Sequence, residues 1–129
     1  MPIVLGIDLG TQSLKALIYD TETKTIVANA SSPVEIIQSS NGAAEQKAEW
    51  WLAALEHCFA QLSDDIKQRI AAVGVSGQQH GFVPVGTNGD VLANVKLWCD
   101  TTTSAECEEI MSILGGREAC VAKTGNAIV

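Results

Sequence analysis

The chain has 129 residues, 47% of them hydrophobic and 18% charged, with 11 Gly and 3 Pro. Those figures suit one globular domain and exclude disorder, collagen-like repeats and a disulfide scaffold. Eight Lys and Arg against fifteen Asp and Glu leave a net charge of −7, which argues against nucleic acid as a partner, because such binding rests on neutralising phosphates.

The N-terminus passes at once into a strand, with Ile3, Val4 and Leu5 following Met1 and Pro2. It carries no basic stretch and no small-residue cleavage site, and no apolar run reaches the roughly 20 residues that span a bilayer. Neither a signal peptide nor a membrane partner is expected. Residues 3–9 are β-rich and apolar at both parities, the pattern of a central strand covered on both faces. Residues 10–13 form a turn, 14–20 a second strand, 21–24 a turn, and 25–30 a third strand. Such short connections make an antiparallel meander, since parallel neighbours need a longer crossover.

The polar, glycine-containing stretch 38–46 leads into a helix on which Ala48, Trp51, Leu52, Leu55, Cys58, Phe59 and Leu62 share one face. Residues 70–76 read as a short buried strand ending at Gly77, and the strand–helix–strand order makes it a parallel neighbour in the same sheet. Residues 82–85 and 91–98 read as short strands around the turn 87–90. The run 101–114 reads as a helix punctuated by Gly115 and Gly116, and residues 124–129 show no closing helix. With no repeat and no linker, this is one compact α/β unit. Cys58, Cys99, Cys107 and Cys120 form no C-x-x-C pair and no zinc spacing with His57 or His80. They read as reduced, mostly buried residues of a cytoplasmic protein.

Three clusters carry chemistry. In Gly6-Ile7-Asp8-Leu9-Gly10-Thr11-Gln12-Ser13-Leu14-Lys15, strand alternation puts Asp8 on the face of Val4 and Gly6, at the end of an apolar strand. Gly10 can take a positive φ or admit a ligand close to the backbone. Thr11, Gln12 and Ser13 then offer successive N–H groups and two hydroxyls, with Lys15 adding a positive charge. This suits a phosphate cradle beside a Mg²⁺ held by oxygen ligands and water; the alternative is a plain hairpin in which Asp8 hydrogen-bonds the turn. In Ser76-Gly77-Gln78-Gln79-His80-Gly81, two amides and an imidazole framed by glycines suit a small polar ligand such as a sugar; the alternative is a structural loop histidine. Around Leu97-Trp98-Cys99-Asp100, Trp98 offers an apolar wall and Asp100 an acceptor for sugar hydroxyls, while Asp100 also fits the N-cap of a helix starting at Thr101. Trp51 reads as core with Trp50 flanking it, Glu106, Glu108 and Glu109 as a solvated helix face, and His57 as structural.

Taken together, GIDLGTQSLK at 6–15, GQQHG at 77–81, LWCD at 97–100, TGN at 124–126 and the Glu45-Gln46…Trp50-Trp51 segment resemble the N-terminal part of the FGGY carbohydrate kinases. Within that family GQQHG is most similar to the xylulokinase branch. The resemblance implies an actin-like, RNase-H-like α/β domain and ATP-dependent phosphorylation of a ketopentose, D-xylulose. It implies Asp8 beside Mg²⁺ and the transferring phosphate, and Gly10, Thr11, Gln12 and Ser13 around the ATP phosphates with Lys15 nearby. Gln79 and His80 would hold the sugar, with Trp98 and Asp100 lining its pocket. It also implies that residues 1–129 are an incomplete first domain, with the second domain and the catalytic-base Asp beyond this chain, and a homodimer as the candidate assembly. Alternatives are another member of the family acting on ribulose, gluconate or glycerol, or a noncatalytic actin-fold module that binds nucleotide.

Overall fold

β1 (Ile3–Leu9), β2 (Ser13–Asp20) and β3 (Thr25–Pro33) run as the antiparallel meander in a computed structural model that describes residues 3–128. The strands form where alternation is cleanest: in β2, Leu14, Ala16, Ile18 and Asp20 are buried while Lys15 and Leu17 face out. At the end of β2 the Asp20 carboxylate closes the 21–24 turn, Oδ1 accepting from the N–H of Glu22 at 2.9 Å and of Thr23 at 3.0 Å. Those two backbone donors, Thr23 first, hold its carboxyl below the usual carboxylate range.

β4 (Ile37–Gln38) and β5 (Ala44–Gln46) make a small antiparallel pair before α1 (Ala48–Ala60), and α2 (Asp64–Arg69) follows. β6 (Ile70–Gly77) then returns parallel to β1, giving the sheet order β3-β2-β1-β6. β7 (Val95–Lys96) completes a second sheet of order β4-β5-β7, and α3 (Ser104–Ile113) and α4 (Arg117–Thr124) end the described chain. The parallel crossover is the one the strand–helix–strand order implies. Short strands at 82–85 and 91–98 reduce to isolated bridges, Phe82 with Lys96 and Val85 with Val91, plus β7.

The main core lies on one face of the large sheet, where Ile3, Leu5, Ile18 and Ala30 meet Ala54, Cys58 and Leu62. Burial on that scale stabilises by about 1.5–3 kcal/mol for each large aliphatic side chain. Two expectations are corrected here. β1 is not covered on both faces, and β6 is exposed beyond its half-buried first residue Ile70, because α1 packs chiefly against β2 and β3. Val73 and Val75 share the parity of Leu5 and Ile7 yet stay exposed. The helix stripe also shifts, because Leu52 is 65% exposed and Ala54 takes its place in the core.

All four cysteines are free thiols, Cys58 and Cys120 buried and the other two half-buried; burial pushes the Cys58 thiol up. Among the described residues no helix is long and apolar enough to cross a membrane.

Candidate active site

Parallel pairing of β1 with β6 ends at Leu9 opposite Gly77, and the ladder runs one step further as Gln78 N–H donates to the Leu9 carbonyl at 2.8 Å. The turn after β1 and the loop after β6 therefore leave the sheet side by side. His80 sits at φ +60°, left-handed backbone that costs a residue with a Cβ about 1–2 kcal/mol. Between the two loops lies an open cleft of about 450 Å³ lined by Asp8, Gly10, Thr11, Gly77, Gln78, Gln79, His80 and Trp98.

Asp8 is exposed and, among the described residues, is the only carboxylate lining this cleft. Its side chain makes no hydrogen bond and no ion pair among the described residues, so the plain-hairpin alternative, in which it would bond the turn, is not what forms. On the open sheet face it lies in a cross-strand row with Ser76 on one side and Lys15, then Ser31, on the other. Asp8 and Lys15 share a shallow depression of about 720 Å³ on that face. Lys15 is thus beside Asp8 but outside the cleft at the hairpin tip. No group of three His, Cys, Asp or Glu forms a metal cage among the described residues. One exposed carboxylate without an internal partner fits Mg²⁺, which keeps several waters and is completed by substrate phosphates.

Gly10 does not use a positive φ; its N–H donates to the Ser13 carbonyl at 3.0 Å, and a Cβ there would stand 3.2 Å from that oxygen. Its role is close approach within the turn, and its amide is spent there. The Gln12 carbonyl accepts from Val34 N–H at 2.9 Å, leaving its exposed side chain unpaired among the described residues.

Behind the cleft a hydrogen-bonded network joins Gln46, Gln78, Thr11, Trp51 and Trp98, residues of four separate sequence motifs. Gln46, at the end of β5, is 0% exposed. Its Nε2 donates to the carbonyls of Thr11 at 2.7 Å and Glu35 at 2.8 Å. Its Oε1 accepts from Trp51 Nε1 at 2.9 Å and from Gln78 Nε2 at 3.1 Å. All four hydrogen-bonding positions of a buried amide are therefore filled, which burial of such a group demands. The Thr11 hydroxyl donates to Gln78 Oε1 at 3.2 Å and accepts from Trp98 Nε1 at 3.1 Å. The signal for Gln46 was the Glu45-Gln46…Trp50-Trp51 segment, which sets it five positions before the Trp51 indole without saying what else the amide bonds.

His80 and Trp98 also line a second cavity of about 660 Å³, with Phe82, Lys96, Asp100 and Asn126. Gly125, at φ +81°, caps α4 and turns the chain so that Asn126 reaches this cavity. Asp100 is not the helix N-cap; α3 starts at Ser104 with Thr103 as its cap. Its carboxylate instead accepts from Thr102 Oγ1 and Thr102 N–H, from Lys96 Nζ at 3.3 Å, and from Ala44 N–H at 2.9 Å. The Thr102 hydroxyl first, then the backbone and Lys96 donors, hold its carboxyl well below the usual carboxylate range against the opposing effect of desolvation. The carboxylate is occupied by the fold as well as facing the cavity. Of the residues singled out from sequence, Asp8, Gly10, Thr11, Gln79, His80 and Trp98 come together in one cleft. Asp100 joins through the adjoining cavity, and Gln12, Ser13 and Lys15 stand outside both.

A family profile described as the FGGY family of carbohydrate kinases, N-terminal domain, matches residues 3–129. The xylulose kinase of Haemophilus influenzae is 36% identical over 128 residues, covering 94% of this chain and 26% of its own length. The crystal structure of a "xyloylose kinase" from Brucella ovis superposes with a TM-score of 0.85 at 30% identity, over 98% of this chain and 26% of that one. The gluconate kinase of Lactobacillus acidophilus gives 0.77 at 24% identity, over 94% and 24%, a likeness of fold alone. The chain spans about a quarter of the length of the curated relatives it matches.

Proposed function

The chain belongs to the FGGY family of carbohydrate kinases, with the actin-like α/β fold of that family's N-terminal domain, and from that we propose that it is the first domain of an ATP-dependent kinase that phosphorylates D-xylulose to D-xylulose 5-phosphate. The observation that carries the reading is the shared cleft: Asp8 of the hairpin stands on one side, Gln79 and His80 on the other. A phosphate side and a sugar side face one space, which is what positioning two substrates for transfer requires. Two of the matched relatives are named xylulose kinase, which supports the ketopentose.

In this reading Asp8 would hold Mg²⁺, which when bound offsets charge on the phosphates. The turn amides of Thr11 and Gln12, with Ser13 and Lys15 nearby, face the ATP phosphates. Gln79 and His80 hold sugar hydroxyls, Trp98 supplies an apolar wall, and Asp100 orders the pocket. A carboxylate engaged with a cation keeps little basicity, so the reading assigns the catalytic base to a second domain outside residues 1–129. Four free thiols and a need for ATP accord with a cytoplasmic enzyme, and the full-length protein is proposed to be a homodimer.

The test is sugar-dependent ADP release by the full-length kinase over D-xylulose, ribulose, gluconate and glycerol. The highest kcat/KM is expected for D-xylulose. A preference for any of the others would overturn the substrate while leaving the family.

A further inference from the structure

Thr11 has one hydroxyl proton, and the groups around it decide where that proton goes. Trp51 Nε1 and Trp98 Nε1 can only donate, so they fix both ends of the network. Trp51 Nε1 donates to Gln46 Oε1 at 2.9 Å, while Gln46 Nε2 is turned toward the carbonyls of Thr11 and Glu35. Gln46 therefore meets Gln78 with an acceptor, and Gln78 must answer with its Nε2 at 3.1 Å. Gln78 Oε1 is left facing Thr11, which gives its proton there at 3.2 Å while accepting from Trp98 Nε1 at 3.1 Å. Reversing either amide would set donor against donor or acceptor against acceptor, so the network has one polarity.

We propose that the Thr11 hydroxyl is a positioning group for the sugar pocket and not a ligand of the ATP phosphates, with Gln46 and Gln78 fixing its proton. This rests on the kinase reading above. A hydroxyl that donates to Gln78 has no proton left for a phosphate oxygen, and its remaining lone pair repels one. The Thr11 backbone N–H, unbonded among the described residues, stays available to phosphate. What the hydroxyl holds is the Trp98 indole, an exposed side chain that lines both the cleft and the adjoining cavity. The buried amide of Gln46 thus reaches the sugar-side wall through two further side chains.

The experiment is steady-state kinetics on the full-length kinase carrying Thr11→Val, Thr11→Ser, Trp98→Phe and the double variant Thr11→Val/Trp98→Phe. Thr11→Val is expected to raise the sugar KM about fivefold, the effect of roughly one neutral hydrogen bond, and to leave the ATP KM within about twofold. Thr11→Ser, which keeps the hydroxyl, is expected to restore it. The double variant is expected to fall short of the product of the two single effects, since the Trp98–Thr11 bond is lost in both single variants; Thr11→Val alone also loses the bond to Gln78. Thr11→Ala gives the same readout should valine not be accommodated. A rise in ATP KM with sugar KM unchanged, or single-variant effects that multiply in the double variant, would overturn the positioning role while the kinase reading stands. A wild-type enzyme without sugar-dependent ADP release would overturn both.

Discussion

Asp100 accepts the backbone N–H of Ala44 at 2.9 Å, tying the loop before α3 to β5 across 56 positions of sequence. The same carboxylate gathers Thr102 and Lys96, and its side chain is 3% exposed. Because its folded-state pKa lies below the ordinary carboxylate value of about 4, its contribution is complete above that value. It is lost as pH falls below it toward the depressed folded value. Asp100→Asn is expected to lower the melting temperature at pH about 7, with the gap to wild type narrowing toward pH about 3. Asp20 is present in both proteins, so the difference isolates Asp100. A gap independent of pH would contradict the assignment.

Gly42, at φ +90°, lies under the same loop: a Cβ there would stand 2.2 Å from Thr101 Oγ1, and its carbonyl accepts from Thr101 N–H at 3.0 Å. Gly42→Ala is expected to cost at least about 1 kcal/mol in chemical denaturation, from the left-handed backbone alone. Adding Thr101→Ala should recover only the steric part. Full recovery in the double variant would show that the backbone is not strained.

The meander and the parallel return were legible because alternation and connection length are local properties. The exposure of Val73 and Val75 was not, since a strand's own residues do not say where the covering helix lands. The strands β4, β5 and β7 are two or three residues long and exist through pairing between distant segments, which leaves little periodicity to read. α2 had a signal in Ser63 followed by Asp64 and Asp65, and Ser63 Oγ accepts from the N–H of Ile66 at 3.4 Å. In the site, Asp8, His80 and Trp98 were legible as chemistry held near glycines and strand ends. Gln46 stood out only as part of the Glu45-Gln46…Trp50-Trp51 segment and its role was not legible, because a fully satisfied buried amide is defined by partners at Thr11, Glu35, Trp51 and Gln78 that only the fold assembles.

The shifted helix face gives a stability contrast. Ile18 is 0% exposed, so Ile18→Ala is expected to cost about 2–5 kcal/mol. Leu52→Ala, at an outward position of α1 that the heptad-like pattern had placed in the core, is expected to change stability by no more than about 0.5 kcal/mol. Urea denaturation of both variants checks the pair. Comparable losses would mean that Leu52 packs inward.

The 129-residue chain on its own is expected to show no xylulose-dependent ADP release and only weak ATP binding, because Asp8 is unsuited to act as both cation ligand and base. Turnover by the purified chain would overturn the assignment of the base to a second domain.

In the proposed kinase, one cleft joins a phosphate side at Asp8 to a sugar side at His80. The most direct test of that arrangement is the separate determination of kcat, sugar KM and ATP KM for Asp8→Ala and His80→Ala in the full-length kinase. His80→Ala is expected to raise the sugar KM at least about tenfold with ATP KM unchanged, as loss of a polar contact to one substrate would. Asp8→Ala is expected to lower kcat by about a hundredfold or more, with sugar KM near wild type. Equal losses in both substrates for His80→Ala, or an undiminished kcat for Asp8→Ala, would show that the cleft does not divide the two substrates in this way.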